Sequence, residues 1–335
     1  MERPLYLHSF PALALPGGPP FAASRKGWVV EPKGSTVSHP HLASNYNRHQ
    51  MDLAKKSALL HQTLRELGSL LVAYSGGTDS AFLAYAAHQA LGTHTGGRGM
   101  LAVIADSASL PRAELAAALA FTAAHGIPTH ILQTQELANP DYQRNDAGRC
   151  FHCKDELFTE IERFRVTRNF AHIAYGMNLD DRAPDVAAFR PGQQAAAQHG
   201  ALAPLVTARL TKAEIRTLAR EAGLTLADKP ASACLSSRIA YGLPVTPQRL
   251  LQVEQAEAAL HQLGFREVRV RHHGDLARIE IARQDLSRAL NLTTLDALTS
   301  TLKTLGFLYV TLDTSGYRTG SMNAVLPSSA ITPAR

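Results

Sequence analysis

The chain has 335 residues, of which 45% are hydrophobic and 19% are charged, as expected for a globular protein with a sizeable core and two domains. Its formal net charge is +6, but residues 1–50 hold five Lys and Arg against two Asp and Glu, so the remainder is nearly balanced. No arginine-rich helix or basic and aromatic face stands out, and no run reaches the ~18 apolar residues of a membrane span, so neither nucleic-acid nor membrane binding is indicated.

Residues 1–50 hold seven of the eighteen prolines and show no sustained periodicity, which predicts a largely disordered extension. His8, Pro11 and Pro16 interrupt its early apolar stretch. This argues against a signal peptide and favours a cytoplasmic location. A helical pattern of leucines opens at Met51, so we hypothesise that Met51 is the natural start.

The next stretch predicts a strand, a loop and a helix. Leu70–Tyr74 is continuously apolar or aromatic, as suits a strand buried on both faces of a parallel sheet, and Ala81–His88 follows as a helix. Gly76 and Gly77 let the intervening backbone turn and approach a ligand closely. Free amides and the helix dipole favour an anion at this position, so the stretch predicts a phosphate-binding loop.

The polar residues of this loop indicate which nucleotide chemistry to expect. Ser75 and Ser80 add hydroxyl donors, and Asp79 is given a magnesium role because a carboxylate repels a polyphosphate unless a divalent cation lies between them. No Gly-Lys-Ser/Thr follows, which excludes a Walker A loop. Ser75–Ser80 instead resembles the PP-loop of the ATP pyrophosphatases, which cleave ATP between the α and β phosphates and adenylate a substrate. The plainer alternative is a turn with Asp79 and Ser80 as helix caps.

Three further strands are predicted at Met100–Asp106, Thr129–Gln133 and Ala171–Gly176, separated by helices over Pro111–His125 and Cys153–Arg165. This alternation predicts an α/β fold with a doubly wound parallel sheet, whose ligand crevice lies beyond the carboxyl ends of the strands. Three polar positions fall at such ends and are predicted to bind ATP together: Ser75, Asp106 and Asn178.

Beyond a break at Arg190–Gly192, the sequence predicts a helix over Leu210–Gly223, with Thr211 as its cap and Glu214 completing a capping box. Asp228–Arg238 is then small and polar, with a lone cysteine, Cys234, and a lone arginine, Arg238. This composition favours a loop in a site.

From Thr246 the pattern predicts a small α+β domain with a long helix to Leu263, a hairpin and a strand over Phe307–Leu312. We therefore assign residues 51–243 to the nucleotide domain and 244–335 to a C-terminal domain with a short tail. In the hairpin, Val268, Val270, Ile279 and Ile281 can face the core. The other face carries Arg269, Arg271, Arg278 and Glu280, which is ordinarily a solvated face and alternatively a surface for substrate or another subunit.

Cys150 and Cys153 lie at the start of a helix, where the dipole favours thiolates, and Cys234 is the third cysteine. A CxxC pair can indicate zinc, a redox disulfide or an iron–sulfur cluster. No second ligand pair matches a structural zinc site, and a dithiol leaves Cys234 unexplained. Three thiolates on a 4Fe-4S cluster leave one iron open to sulfide or substrate.

Taken in order, several motifs resemble those of LarE, the ATP-dependent sulfur transferase family of nickel-pincer nucleotide biosynthesis. The resemblance runs from about Met51 to Asn323 and is carried by Ser75–Ser80, Arg149–Lys154, Gly176–Asp181, Arg190–Gly192, Lys229–Arg238, Val268–Asp275 and Gly316–Asn323.

The resemblance implies a PP-loop fold of the adenine nucleotide alpha hydrolase-like type and a defined reaction. ATP and Mg²⁺ adenylate the carboxylates of pyridinium-3,5-biscarboxylic acid mononucleotide, and a sulfur nucleophile then displaces AMP to leave thiocarboxylates. The implied partners are further copies of the same chain, the upstream carboxylation enzyme and the downstream nickel-insertion enzyme. Arg238, Arg269, Arg271 and Glu280 are candidates for binding substrate or phosphate.

The family offers two sources for the sulfur. In one, the cysteine matching Cys234 forms a thioester and gives up its own sulfur, ending as dehydroalanine. In the other, three cysteines hold a 4Fe-4S cluster whose open iron carries the sulfide. Because this chain adds Cys150 and Cys153 to Cys234, we favour the cluster version.

Two other PP-loop activities and one non-catalytic function are alternatives. A tRNA thiolation enzyme would bind tRNA in a salt-sensitive manner. An amidating synthetase of the NAD-synthetase type would use ammonia and retain activity without the cysteines. A non-catalytic nucleotide-binding module would show no substrate-dependent exchange between ATP and pyrophosphate.

Overall fold

The computed structural model describes residues 40–182, 191–230, 233–318 and 321–322, with side chains described from Asp52 onward. The chain divides into two units, Met1–Tyr46 and Asn47–Arg335. The sequence predicts disorder for residues 1–50, and residues 1–39 of that range lie outside the described residues. From Pro40 the chain is helical, within the helix Pro40–Leu67, which thus begins earlier than the leucine pattern indicates.

A four-stranded parallel sheet forms the centre of the nucleotide domain. Its strands are β1 (Ser69–Ala73), β2 (Gly99–Asp106), β3 (Thr129–Gln133) and β4 (His172–Tyr175), in the order β3-β2-β1-β4. All three strand pairs are parallel, so the predicted α/β parallel sheet is confirmed. The ends of β1, β2 and β4 therefore meet at one edge.

The apolar run of β1 is buried because side chains leave both faces of the sheet into separate cores. Leu70 and Val72 belong to a cluster that includes residues of the helix Thr78–Leu91. Leu71 belongs to a cluster on the other face with Phe158 of the helix Arg149–Thr167. Alternation along a strand thus places consecutive apolar residues in two cores.

The helices of the described residues connect and cover these strands, and none of them combines the length and apolar character needed to cross a bilayer. Thr211 and Glu214 form the predicted capping box at the start of the helix Lys212–Glu221. The helices are Pro40–Leu67, Thr78–Leu91, Arg112–Ala124, Pro140–Gln143, Arg149–Thr167, Pro191–Gln198, Pro204–Thr207, Lys212–Glu221, Pro247–Gln262, Leu286–Ala289 and Leu292–Thr304.

The C-terminal part contains a second, smaller sheet with its own hydrophobic cluster. Strands β5 (Val268–His273) and β6 (Leu276–Ile281) form the predicted antiparallel hairpin, and β7 (Tyr309–Leu312) pairs in parallel with β6. The mixed sheet with the helices Pro247–Gln262 and Leu292–Thr304 confirms the α+β class. The boundary after residue 243 stays a prediction.

The charged face of the hairpin differs from the solvated face that its alternation suggests. The four apolar positions enter the core, as expected. However, Arg271 is only 6% exposed and Glu280 is fully buried, and the two form an ion pair at 2.7 Å. The solvated interpretation is therefore wrong for these two residues, because chain outside the hairpin covers this face: Arg271 also donates to Ser237 and Ser321.

His272 in β5 makes the stability of this part depend on pH. Its Nε2 lies 3.1 Å from Gln252 Oε1 and its Nδ1 accepts from Gly274 N, which suits the neutral ring. Burial, followed by the charges of Arg249 and His273, lowers the pKa of His272 to about 4. The unfolded state therefore binds a proton at a higher pH than the folded state does, and stability falls as the pH drops below the ordinary histidine pKa.

We expect the free energy of unfolding to fall by about 2 kcal/mol from pH 7 to pH 5 on account of His272. Urea denaturation at the two pH values measures this change. His272→Gln should reduce the difference, whereas His261→Gln, on the exposed side of the helix Pro247–Gln262, should retain it. Equal pH dependence in both variants would contradict the prediction.

Candidate active site

The predicted phosphate loop connects β1 to the helix Thr78–Leu91. Gly77 is the residue before the helix, and no side chain caps the first helical amides. Inside the loop, the Ser80 hydroxyl accepts from Ser75 N at 3.2 Å and lies 3.1 Å from Ser75 Oγ. The loop is thus held by its own serines, while the helix amides face no capping group, as an anion site requires.

Two glycines allow the close packing of this loop. Gly76 has a φ of +74°, and a Cβ there would lie 3.0 Å from Ala118 Cβ. A Cβ on Gly176, which follows β4, would lie 2.6 Å from Ser80 N. Backbone approach of this kind admits only glycine. The end of β4 therefore lies directly against the start of the loop's helix.

Asp79 contacts residues from two other elements at this edge. Lys212 Nζ lies 2.8 Å from Asp79 Oδ1, and Asn178 Nδ2 donates to Asp79 Oδ2 at 3.3 Å. Asn178 is buried, and its Oδ1 accepts from Asp180 N at 2.9 Å. The structure thus brings Asn178, just after β4, into contact with Asp79 of the loop after β1, and it adds Lys212. The sequence carries one signal for Lys212, since it directly follows the predicted helix cap.

The predicted magnesium role of Asp79 is only partly supported by its surroundings. Both carboxylate oxygens already contact Lys212 or Asn178. Among the residues that the structure describes, no group of three or more His, Cys, Asp and Glu is suited to hold a metal ion. Mg²⁺ commonly binds through one carboxylate and the phosphates of a nucleotide, and Asp79 fits that donor set. The magnesium role stays a prediction.

Lys229 is a second lysine at the loop that the pattern of the sequence did not single out. Its Nζ donates to Gly76 O at 2.9 Å and lies 2.5 Å from Glu114 Oε2. A short distance away, Thr78 Oγ1 donates to Leu226 O at 2.9 Å. The stretch around Leu226 and Lys229 is therefore attached directly to the phosphate loop.

Asp106 and Ser107 end β2 at the same edge. Hydrogen bonds from Arg112 and then Gln133 lower the pKa of Asp106, so its carboxylate stays ionised. Ser107 Oγ donates to Glu136, a carboxylate that is nearly fully buried. Asp106 thus lies at the predicted edge, engaged by an arginine and an amide.

Cys234 belongs to a stretch that we call the cysteine segment, residues 226–238, of which 231–232 lie outside the described residues. Leu235 N donates to Ser109 O at 2.8 Å, just beyond the end of β2. The segment therefore contacts the phosphate loop near its start and the end of β2 next to Cys234. The sequence did not predict that the cysteine segment contacts the phosphate loop, because the two are about 150 residues apart in the chain and are brought together by the fold.

The three thiols differ in their ionisation. Cys150 begins the CxxC pair in the first turn of the helix Arg149–Thr167, as predicted. Desolvation and then the neighbouring Cys234 raise the pKa of Cys150, although the residue as a whole is exposed, and raise that of Cys153 to about 12. Burial opposes ionisation of Cys234 too, but Arg149 and the hydroxyl of Ser236 leave the pKa of Cys234 below its ordinary value.

Three thiols are the donor set that a 4Fe-4S cluster takes. The influence of Cys234 on the pKa values of Cys150 and Cys153 reflects that the three thiols lie near one another. Cys153 also packs on the hydrophobic cluster that contains Leu235 and Ile239, on either side of Arg238. As their side chains lie, however, the thiols do not form a group suited to hold a metal ion in the described part of the chain. Cluster binding by the three cysteines therefore stays a prediction.

The four candidates for substrate or phosphate binding separate into paired and unpaired charges. Arg238 is buried and forms a two-pronged ion pair with Glu257, at 3.0 and 3.2 Å, while it also donates to Cys234 O. Arg271 and Glu280 pair with each other, and Arg278 adds a second contact to Glu280. These three candidates therefore have structural partners.

Arg269 is the exception among the four. It stacks over the ring of Tyr317 at 5.0 Å and donates to Val268 O, and it forms no ion pair with a carboxylate of the described residues. Burial and then the neighbouring charge of Arg238 lower the pKa of Arg269. An unpaired, half-buried guanidinium near other arginines is electrostatically suited to bind an anion.

The fold and the site together define a class of protein. A parallel sheet delivers an uncapped glycine loop to an edge where Asp79, Asn178, Asp106 and two lysines converge, which is the arrangement of a PP-loop nucleotide-binding α/β protein.

Comparison with known proteins gives the family. No family model matches the chain. It is 33% identical over 279 residues to the pyridinium-3,5-bisthiocarboxylic acid mononucleotide synthase of Lactiplantibacillus plantarum, covering 83% of this chain and 98% of that protein. It is 39% identical over 274 residues to an uncharacterized protein of Synechocystis, covering 82% and 99% of the two chains. An uncharacterized protein of Methanocaldococcus jannaschii is 24% identical over 271 residues, covering 80% and 99%. The chain belongs to the LarE family of sulfur transferases.

Proposed function

We propose that this protein adenylates the carboxylates of pyridinium-3,5-biscarboxylic acid mononucleotide with ATP and converts them to thiocarboxylates for the nickel-pincer cofactor. The product is the compound named in the Lactiplantibacillus plantarum relative. In this proposal, the product passes to a nickel-insertion enzyme, the substrate comes from a carboxylation enzyme, and the protein works as a homo-oligomer.

The observation that carries this proposal is the course of the cysteine segment. It contacts the phosphate loop through Leu226 and Lys229 and the end of β2 through Leu235. The same segment carries Cys234, the thiol whose pKa is lowered. A nucleotide site and a sulfur nucleophile on one short stretch are what adenylation followed by sulfur transfer requires.

The first step needs a carboxylate of the substrate to attack the α phosphate of ATP. The P–O bond to pyrophosphate breaks, and a mixed anhydride with AMP remains. In our proposal, the amides at the start of the helix Thr78–Leu91 and Lys212 bind the phosphates, while Asp79 and Asn178 orient Lys212 and any bound Mg²⁺. Fixed positive groups stabilise the charge that moves onto pyrophosphate as it leaves.

The second step replaces AMP by sulfur. If Cys234 is the donor, its thiolate attacks the acyl carbon and AMP leaves. Loss of the Cα proton then breaks the Cβ–S bond, which leaves a thiocarboxylate and dehydroalanine at position 234. In the other version, Cys150, Cys153 and Cys234 would hold a 4Fe-4S cluster, and the cluster would supply the sulfur in place of the Cys234 thiol. We favour the cluster version because of the CxxC pair, and Cys234 is required in both.

The substrate also carries a phosphate, and Arg269 is our candidate for binding it. Arg269 lacks a carboxylate partner among the described residues, whereas Arg238 and Arg271 are paired. Arg238 itself belongs to the cysteine segment and donates to Cys234 O at 3.0 Å. Burial and then the charge of Arg238 lower the pKa of Arg269, so Arg269 lies within electrostatic range of the cysteine segment.

Anaerobic incubation with the biscarboxylic acid mononucleotide, ATP and Mg²⁺ tests the function. We expect AMP, pyrophosphate and a substrate mass that shows replacement of oxygen by sulfur. Adding sulfide should permit repeated turnover if a cluster is present. Product formation from tRNA, or amide formation with ammonia, in place of thiocarboxylate would overturn the proposal.

Lys212 provides a narrower test of the nucleotide site. We expect Lys212→Met to raise the KM for ATP by about tenfold to 100-fold, because a charged hydrogen bond contributes about 1.5–3 kcal/mol. Substrate-dependent exchange between pyrophosphate and ATP measures the change. Lys56→Met is the matched control. Lys56 pairs at 2.8 Å with Glu214, which lies on the same helix as Lys212, and its ion pairs do not involve the loop. An equal KM in the two variants would contradict the assignment.

A further inference from the structure

Asn145 and Arg149 connect the two parts of the chain that carry the cysteines. Asn145 lies before the CxxC helix and Arg149 is the first residue of that helix. Asn145 is fully buried and Arg149 is 5% exposed. Neither residue belongs to the phosphate loop, and the one part that either has in the chemistry described above is the lowering of the pKa of Cys234 by the charge of Arg149.

The side chain of Asn145 holds the chain beyond Cys234. Its Nδ2 donates to three backbone carbonyl oxygens, those of Ala240 and Leu243 at 2.8 Å and of Ile239 at 3.3 Å. Asn145 has a φ of +58°, a conformation that asparagine tolerates better than most residues. Because Asn145 is buried and donates to three carbonyls of residues 239–243, it holds that distant loop in one position.

Arg149 continues the connection to Cys234 itself. Its Nη1 donates to Asn145 Oδ1 and, at 2.9 Å, to Ser236 O. Ser236 Oγ in turn lies 3.0 Å from Cys234 Sγ. In the part of the chain that the structure describes, Arg149 forms no ion pair with a carboxylate and stacks over Tyr241 at 5.7 Å. Its hydrogen bonds to Asn145 and Ser236 fix the position of the cysteine segment, and its positive charge also lowers the pKa of Cys234.

The opposite side of the cysteine segment, together with Ala240 just after it, is held by the helix Pro247–Gln262 and by β5. Arg238 pairs with Glu257, and Ala240 N donates to His272 O at 3.0 Å. The segment therefore lies between two anchors, and only the Asn145 side also carries Cys150 and Cys153.

We propose that Asn145 and Arg149 form a clamp that sets the position of Cys234 relative to Cys150 and Cys153 for sulfur transfer. Asn145 is a positioning residue that acts through the backbone just after the cysteine segment. Arg149 acts in the same way through Ser236 O, and in addition its charge acts on the Cys234 thiol. The role in transfer rests on the proposed function, whereas the geometric role does not. Loss of the clamp should leave the phosphate loop intact, because neither residue contacts it.

The test separates geometry from activity. A short bifunctional thiol reagent, dibromobimane, is applied to the full chain in a Cys153→Ser background, where cross-linking joins Cys150 to Cys234 and is read by fluorescence and peptide mass. Asn145→Asp keeps the shape of the side chain but removes its donors. Arg149→Lys keeps the positive charge beside Cys234 but removes the forked donor. We expect each change to slow cross-linking by about 100-fold, as a displacement of about 1 Å does for other proximity-dependent reactions.

Sulfur transfer and adenylation are measured in parallel with all three cysteines present. Transfer should fall as cross-linking does, while exchange between pyrophosphate and ATP stays within about twofold of the unchanged protein. Arg165→Lys is the matched control, because Arg165 lies at the other end of the same helix and donates to Phe170 O at 3.0 Å. It should alter none of the three readouts.

Unchanged cross-linking in either folded variant would overturn the proposal. Equal loss of cross-linking, exchange and thermal stability would also overturn it, since the two residues would then support the whole domain. If the unchanged protein transfers no sulfur, the proposed function fails, but the cross-linking rates still decide whether the clamp positions the thiols.

Discussion

Replacing Cys234 with serine is expected to abolish thiocarboxylate formation, by at least about 1,000-fold, while substrate-dependent exchange between pyrophosphate and ATP continues. The two steps use different groups of one site. In the proposed mechanism, adenylation uses the phosphate loop with Asp79 and Lys212, whereas the Cys234 thiol lies against the hydroxyl of Ser236. Sulfur transfer needs Cys234 whether it gives up its own sulfur or serves as a cluster ligand.

The hydroxyl of serine keeps the shape of the segment, but it carries no sulfur to donate and no thiolate to bind iron. Mass spectrometry of the product and radiolabel exchange measure the two steps in the same preparation. Ser237→Ala is a suitable control, because Ser237 Oγ donates to Cys234 O at 2.7 Å without contributing the sulfur. Product formation at the normal rate by Cys234→Ser would contradict the assignment of this thiol.

Cys150→Ala separates the two sources of sulfur. If Cys234 donates its own sulfur, this variant still forms about one thiocarboxylate per chain and loses one sulfur in intact mass. If a cluster is used, the variant is colourless after anaerobic reconstitution with iron and sulfide, and it forms no product catalytically. Catalytic product formation with added sulfide by Cys150→Ala would refute the cluster version.

Gly176→Ala is expected to have the second large effect, through the phosphate loop. A Cβ at this position would lie 2.6 Å from Ser80 N, 2.8 Å from Ser80 Cα and 3.0 Å from Asp79 C. These are backbone atoms at the start of a helix, so the contact cannot be relieved by rotating a side chain. The loop must move away from the end of β4, which also separates Asp79 from Asn178.

For Gly176→Ala we expect exchange between pyrophosphate and ATP to fall by about 100-fold and the free energy of unfolding to fall by about 1–3 kcal/mol. Gly77→Ala is the matched control for stability, since the nearest atom to its Cβ would be Ser75 Oγ at 3.6 Å, an ordinary contact. Urea denaturation and exchange assays measure both variants. Normal exchange by Gly176→Ala would show that β4 does not support the loop as closely as described.

Much of the fold follows from local patterns. The apolar run before Ser75 predicts β1, and its burial on both faces follows from helices that the periodicity also indicates. Thr211 and Glu214 predict their capping box from spacing alone, and the CxxC pair starts a helix as expected. Because parallel strands end at one edge, the sequence also predicts that Ser75, Asp106 and Asn178 lie along that edge, where the structure shows Asn178 in contact with Asp79.

The partners of charged residues were harder to predict. Alternation places Arg271 and Glu280 on one face of the hairpin, but only the tertiary structure shows that Ser237 and Ser321 help to cover that face. Likewise, nothing local pairs Lys212 with Asp79 or Lys229 with Gly76. Such contacts join residues far apart in the chain, and their geometry depends on how every intervening element packs.

The sequence by itself determined the four strands of the parallel sheet, the glycine loop after β1 and the helix at the CxxC pair, because backbone propensity, capping and apolar periodicity act over a few residues at a time. Only the tertiary structure decided which distant segments contact one another. It attaches the cysteine segment to the phosphate loop through Lys229 and holds it with Asn145 and Arg149. Burial removes the alternative of water for those donors, so their partners are chosen by packing rather than by neighbouring residues.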